Sequence, residues 1–362
     1  MAKHQVFLVH GMGDFNKDWS LDTQQTLRMA FAQYDRVKAM GLLGHFDFVE
    51  INYNDIFESI RAQWQANATA AAGALSAVGL AGSAASRLVD LANAGTGDDF
   101  FRTHVLDVVL YRFMKPITER VTQSVRSQIL NRLKAFPQND APSWSVIGHS
   151  LGTAVVQDTL HAMFTETVDG VLLGDKFKPD FVFMVANVSK VLWNRGGDIY
   201  ASALRPHTVD SLGLCWKYCS FSHELDPFPQ VDPFDPPETW FPEGATPAQR
   251  EQLYFGATPT IRAQDVQDIN VHGFNHYLSH PAVHSEIINT LVGLEVVRPA
   301  DVTKALQAWR ANTLVGNELK SARDLLRGLA LGETDDWRAI IDALAKFRFA
   351  VQKLSALKEG EG

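Results

Sequence analysis

The sequence predicts an α/β protein built on a mostly parallel central sheet of about six strands flanked by helices. Three observations point there. Short runs such as Gln5 to Val9 (QVFLV) and Phe181 to Ala186 (FVFMVA) are apolar on consecutive residues, as strands covered on both faces must be. Between such runs lie stretches with apolar residues at helical spacing, the alternation that a parallel sheet requires. Two of the runs also end in glycine-bearing loops, His10-Gly11-Met12-Gly13 and Gly148-His149-Ser150-Leu151-Gly152, where a chain turns sharply from strand to helix.

The second of these loops is the most informative stretch. Trp144, Val146 and Ile147 lead into it as β-formers, and Leu151, Val155, Leu160 and Met163 recur after it at helical spacing. The glycines two residues before and two after Ser150 let a turn be tight enough to hold a serine hydroxyl at the carboxyl end of a sheet. The Leu151 N–H then sits at a helix start and faces any oxyanion formed beside Ser150. The loop after the first strand complements it. Its glycines allow close backbone approach, and the Met12 N–H becomes the second donor to the same oxyanion.

Composition limits the alternatives. At 362 residues, 46% hydrophobic and 20% charged, the chain can bury a large core, and a formal net charge of -8 gives no electrostatic basis for nucleic-acid binding. The two cysteines, Cys215 and Cys219, fall in one predicted strand, too far apart along it to bridge, and read as buried thiols. No charged region is followed by an apolar signal-like stretch, since Val6 to Val9 runs directly into a motif, so a cytoplasmic location is expected.

Taken along the chain, Phe46 to Tyr53 (FDFVEINY) is the second strand, with charges between its apolar residues. Residues 55–135 form a helical insertion read as a cap or lid. Within it Ala66 to Ser86 is uncharged and rich in Ala, Gly, Ser and Thr, residues with too little transfer energy for a transmembrane span. A helix over the site, or a lid that touches a membrane surface, suits it better. Phe100 to Phe136 has helical periodicity with Pro116 as an expected break.

Leu214 to Phe221 (LCWKYCSF) is another strand, running into His223-Glu224-Leu225-Asp226. Residues 227–262 are rich in Pro and aromatic residues and are expected to be an irregular loop, its rings either lining a pocket or stapling the loop down. Val266 to Val271 (VQDINV) is the last expected strand and delivers His272 and the residues up to Leu278 into a loop. Helix resumes after Pro281. Residues 298–362 read as a helical C-terminal extension, with helices over Asp301 to Ala311, Asn317 to Leu331 and Asp335 to Leu354. Packing on the core, capping the site and forming a homodimer are the roles open to it.

The order of motifs is a glycine loop, then Ser150, then an acid, then a histidine, each expected at a strand's carboxyl end. A serine hydroxyl is a weak nucleophile near neutral pH and needs a base, and the base needs a carboxylate to fix its tautomer. His272 is the first choice of base and His276 its competitor, with His280 and His284 behind them. Asp226 is the first choice of acid, then Glu224, then Asp232 and Asp235. His149 reads as a packing residue because neighbouring side chains at such a turn diverge. The histidines could instead bind a metal, but there is no H-E-x-x-H motif, and no metal or organic cofactor is expected.

Through VFLVHGMGD, SVIGHSLGTA, HELDP and HGFNHYLSHPAV the chain resembles α/β-hydrolases of the lipase and serine-esterase type, across residues 5 to 290. The resemblance implies residues 1–297 as an α/β-hydrolase catalytic domain in compact form, beginning with the strand that carries His10-Gly11. It also implies hydrolysis of a small-molecule or lipid ester, with amides and thioesters open. Ser150, Asp226 and His272 become the catalytic residues, Met12 and Leu151 the oxyanion donors, and His10, Gly11, Gly13, Gly148, His149 and Gly152 the supporting motif. The alternative is a noncatalytic protein of the same fold that binds a ligand in the pocket or a partner through the tail. The presence of a serine, an acid and a histidine together argues against it.

Overall fold

The apolar runs become strands of one sheet in the computed structural model of the chain, which describes residues 3–13, 15–66, 107–108, 110–112, 114–136, 143–167, 177–208, 213–267 and 270–313. In chain order these residues give β1 (His4–Val9), α1 (Leu21–Ala32), α2 (Asp35–Ala39), β2 (Phe46–Ile51), α3 (Asn54–Ala66) and α4 (Lys115–Lys134). They continue with β3 (Trp144–His149), α5 (Leu151–Thr165), β4 (Phe181–Val185), α6 (Ser189–Leu192), β5 (Lys217–Phe221) and α7 (Pro227–Val231). The last elements are α8 (Pro247–Leu253), β6 (Tyr254–Phe255), α9 (Phe274–Ser279), α10 (Pro281–Val292) and α11 (Pro299–Arg310).

All six strands are parallel, in the order β2-β1-β3-β4-β5-β6. The chain steps outward from β1 to β2, returns past β1 to β3, and then advances strand by strand in the other direction. Connections after β1 and β3 therefore leave in opposite directions, and a crevice opens at the carboxyl ends of those two strands. Both glycine loops lie there.

The alternation of side chains along each strand divides the core in two. Phe7, Val9, Val146, Val182 and Met184 face α4 and α5 through Val121, Val125, Ile129, Val155 and Leu160. Val6, Leu8, Ile147, Phe183 and Phe221 face α1 and α10 through Leu27, Phe31, Ile287 and Ile288. Cys215 and Cys219 are both buried free thiols, with burial pushing both thiol pKa values up.

Several sequence expectations change here. The strand expected over Val266 to Val271 is not seen among its described residues, 266–267 and 270–271: Ala263–Asp265 is a 3-10 turn, and Val266 and Val271 are both buried in the same half of the core. Residues five apart on a strand would point to opposite faces, so these two valines pin a loop instead. The sixth strand is β6, only two residues long, inside the segment 227–262 expected to be irregular. That segment also holds α7 and α8. Their prolines, Pro227 and Pro247, stand in the first turn, where a missing N–H costs nothing, and Thr246 and Gln249 form a capping box before α8. The break expected at Pro116 is present: residues 107–108 and 110–112 are helical, Met114 is not, and α4 starts anew with Pro116 in its first turn. The expected strand from Leu214 begins only at Lys217, leaving Cys215 outside it.

Two helices at the ends of the span 55–135, α3 and α4, belong to the layer covering the sheet. The expected lid around Ala66 to Ser86 lies outside the described residues, as do the expected helices of 317–331 and 335–354. Of the C-terminal extension, α11 is described and packs on the core with Val302 and Ala305. Among the described residues no helix is long and apolar enough to cross a membrane.

A helix that covers the sheet and one that opens over a site respond differently to truncation of their inner faces. Ile129, at 1% exposure, lies against the sheet. Ile129→Ala should lower the free energy of unfolding by about 2–4 kcal/mol, measured by denaturant titration. A change near zero would mean that α4 is dispensable to the core.

Candidate active site

Ser150 closes the turn between β3 and α5 with φ 52° and ψ -125°, a left-handed conformation that a non-glycine residue adopts only under constraint. The constraint is visible. Its N–H donates to the Val185 carbonyl at 2.9 Å, and its carbonyl accepts from the Thr153 N–H and hydroxyl at 2.8 and 2.7 Å. A Cβ on Gly152 would stand 2.3 Å from the His10 carbonyl oxygen, so only glycine lets the start of α5 pass the end of β1. On the other side of the crevice, a Cβ on Gly11 would meet Ser150 Cβ and His149 Nδ1 at 2.9 Å each. The loop from His10 to Gly13 therefore lies directly against the serine. Leu151 is the first residue of α5, where an N–H has no intrahelical acceptor. Met12 lines the same cavity as Ser150.

His272 reaches this point from the far end of the chain. Its Nε2 accepts from the Ser150 hydroxyl at 2.8 Å, and its Nδ1–H donates to Asp226 Oδ2 at 2.8 Å. Asp226 follows β5 and caps α7, its Oδ1 accepting the Phe228 N–H at 3.1 Å while Oδ2 also accepts from the Tyr277 hydroxyl at 2.9 Å. A carboxylate with no solvent exposure is costly unless its oxygens are filled, and here three donors fill them. Ser150 at 1% and His272 at 7% exposure complete a nearly dry hydrogen-bonded chain.

The remaining histidines and acids divide by partner. His149 Nε2–H donates to the His272 carbonyl at 2.8 Å, and its ring stacks on Phe274 at 4.7 Å, so it holds the histidine loop from below. His10 is clamped between Phe15 and Tyr53, with ring centroids at 4.3 and 4.0 Å; burial pushes its pKa down to about 4, which keeps it neutral. His276 lies on α9 with its ring 5.7 Å from His223. His280 caps α10, and His284 accepts from the Tyr34 hydroxyl at 2.8 Å. Glu224 accepts from the Ala263 N–H, and Asp232 pairs with Lys190. Asp235, whose N–H donates to the Tyr200 hydroxyl, makes no described contact with His272. Among the described residues no group of three or more His, Cys, Asp or Glu is placed to hold a metal ion.

Tyr277 was not expected at the site, and Phe228 was expected only as one of several rings lining a pocket or stapling a loop. Tyr277 stands on α9, where an irregular loop was expected, and it is the helix that turns its hydroxyl inward to Asp226. Phe228 packs its ring 4.3 Å from that of His272. A large aromatic five residues after the histidine, flanked by Leu278, was the available signal. The other rings of 227–262 are mostly staples: Phe234 and Trp240 are buried with Tyr218 and Tyr254.

A cavity of about 400 Å³ opens over Ser150 and His272. Among the described residues its walls include the rings of Phe15, Trp19 and Phe274, the side chains of Asn270 and Asn275, and the Asp22 carboxylate, with no lysine or arginine. A separate hollow of about 590 Å³ lies along β6 and contains none of the three hydrogen-bonded residues.

No protein-family model, curated protein or solved structure matches the chain.

The glycine contacts and the buried histidines each have a measurable consequence. Gly152→Ala should destabilise the fold by about 3 kcal/mol or more, because backbone must move on both sides, and thermal unfolding would register it. Burial lowers the pKa of His10 to about 4 and of His284 to about 3, so between the unfolded value near 6.5 and those values the unfolded chain binds more protons. Stability is therefore fully present above about pH 6.5 and falls as pH drops through that window. The melting temperature should be lower at about pH 5 than at about pH 7.5; equal values would show that these rings are not held neutral.

Proposed function

We propose that the chain is a serine hydrolase of the α/β-hydrolase type that cleaves carboxylic esters through an acyl-enzyme on Ser150. The observation that carries this reading is the unbroken hydrogen-bonded chain from Asp226 through His272 to Ser150, ending on a serine held at positive φ. A serine in an idle turn needs neither the strained backbone nor a buried histidine whose other nitrogen meets a buried carboxylate.

In this reading His272 takes the Ser150 proton as Oγ attacks the ester carbonyl, forming the Oγ–carbon bond and a tetrahedral oxyanion. Asp226 keeps the Nδ1–H in place and stabilises the imidazolium. The N–H groups of Leu151 and Met12 receive the oxyanion charge. Collapse breaks the bond to the alkoxide leaving group, which takes the proton back from His272. Water, deprotonated by the same histidine, then attacks the acyl carbonyl and releases the acid, restoring the serine. Tyr277 and the Phe228 N–H supply the other hydrogen bonds that hold Asp226 in place in a buried site.

The cavity bears on the substrate. A volume of about 400 Å³ is near the small end for ligand sites, and the described walls of aromatic rings and amides suit an ester of short to medium chain.

The decisive experiment combines a phosphonate serine probe, mapped by peptide mass, with hydrolysis of aryl esters from acetate to palmitate. Labelling should fall on Ser150, with the optimum among the short acyl chains. Ser150→Ala and His272→Ala should each lower kcat by about 10⁴-fold or more, and Asp226→Asn by about 10³–10⁴-fold. His276→Ala should retain most activity, and a reversal of the two histidine variants would displace His272. A folded chain that neither labels nor turns over any ester would end the hydrolase reading in favour of a binding role.

A further inference from the structure

The residues on either side of His272 are tied to one end of α11. Before His272, the Asp265 carboxylate, at 2% exposure, accepts from Arg310 Nε–H at 2.5 Å and Nη2–H at 3.2 Å. The Asp265 carbonyl accepts the Trp309 indole N–H at 2.7 Å, and Gln267 Nε2 donates to the Trp309 carbonyl at 2.7 Å. After His272, the Trp309 ring lies 6.0 Å from the His276 ring and 5.3 Å from the His280 ring. Between those two histidines stands Tyr277, the donor to Asp226. A single indole thus meets both flanks of the segment from Asp265 to His280, with His272 in its middle.

His272 itself needs support of this kind. Among the described residues no strand runs into it to fix it by a ladder of backbone hydrogen bonds. From inside, His149 holds its carbonyl, and from α1 the Thr23 hydroxyl holds Asn275 at 3.1 Å. The third side of the segment is the contact with α11. Both ring nitrogens of His272 work at 2.8 Å, and a displacement of about 1 Å costs on the order of 10²-fold in rate in such an arrangement.

We infer that Trp309 and Arg310 are positioning residues for His272, which makes α11 a working part of the site although it touches no reacting atom. The inference rests on the serine-hydrolase reading. A helix that merely added stability would change the melting temperature without separating kcat from KM. A clamp on the base changes the chemical step and leaves ester binding in the cavity nearly unaltered.

The test uses the full chain with Arg310→Ala, Arg310→Lys and Trp309→Phe. The control is Asp301→Ala, at the opposite end of α11, where Asp301 accepts the Arg298 N–H and helps cap the helix. Steady-state kinetics on an aryl ester, the rate of phosphonate labelling, melting temperature and hydrogen exchange over 265–280 are measured for each. Arg310→Ala should lower kcat about tenfold with KM changed by less than about twofold, and should slow labelling by the same factor. Arg310→Lys should recover part of the loss. Trp309→Phe, which keeps a ring but loses the indole N–H, should fall between, and Asp301→Ala should keep wild-type kcat. Exchange at 270–280 should quicken in Arg310→Ala.

Unchanged kcat in both Arg310→Ala and Trp309→Phe would overturn the inference, as would an equal loss in Asp301→Ala. If Arg310→Ala does not fold, Arg310→Lys and Trp309→Phe decide it by the same criteria. A wild-type chain that neither labels nor turns over would remove the hydrolase reading; exchange would still decide the clamp, unchanged protection at 270–280 in Arg310→Lys and Trp309→Phe counting against it.

Discussion

The constraint on which the site depends is between two backbones: the start of α5 passes the end of β1 with no room for a side chain at Gly152. That approach occurs where the strand order reverses, the one place in the sheet where connections leave in opposite directions. With Gly152 pressed on β1, the turn at Ser150 has no relaxed alternative, and its positive φ follows. Gly11 closes the same space from the β1 side. Strain at the serine is thus sustained by two central strands and the helix behind them. A loop alone could not hold it, because it would relax at little cost.

Around that point the polar groups are satisfied in layers. Asp226 receives three donors, His272 bridges it to the serine, and His149 takes hold of the His272 carbonyl. Each buried group is thereby matched, which is what lets a carboxylate remain inside a protein at all. The aromatic rings do the complementary work. Phe228 lies on His272, Phe274 on His149, and Phe15 and Tyr53 on His10, so the imidazoles are fixed by ring faces as well as by hydrogen bonds.

Much of this is legible in the sequence because its signals are local. Strands buried on both faces, such as β1 and β4, write themselves as continuous apolar runs, and β2, β3 and β5 are legible from their β-forming residues. Gly148 and Gly152 around Ser150 mark a turn whose physics needs only five residues. That His272 would come near Ser150 could also be read, although not for the reason expected: among the described residues before it there is no strand, and Val266 and Val271 are held by burial instead. What could not be read depends on distant partners. β6 is two residues long and exists because β5 offers it an edge, and the helices at Pro227 and Pro247 use proline in its first-turn role where composition suggested irregular chain. Tyr277 and the contacts of Trp309 with Asp265 are invisible without the fold, since nothing in local pattern tells which way a helical tyrosine or an indole N–H will point.

The separation of the hydrogen-bonded residues along the chain has a consequence for biosynthesis. Ser150 lies 122 positions before His272, and the turn at Ser150 leans on the Val185 carbonyl in a strand made later. As the chain emerges from the ribosome, the serine is therefore present long before its histidine, and even its strained backbone must wait for β4. The hydrogen-bonded arrangement comes into being only when nearly the whole sheet and the helices after it have assembled. Under the proposed function a half-made or misfolded chain carries an ordinary alcohol, and ester hydrolysis would report on completed folding.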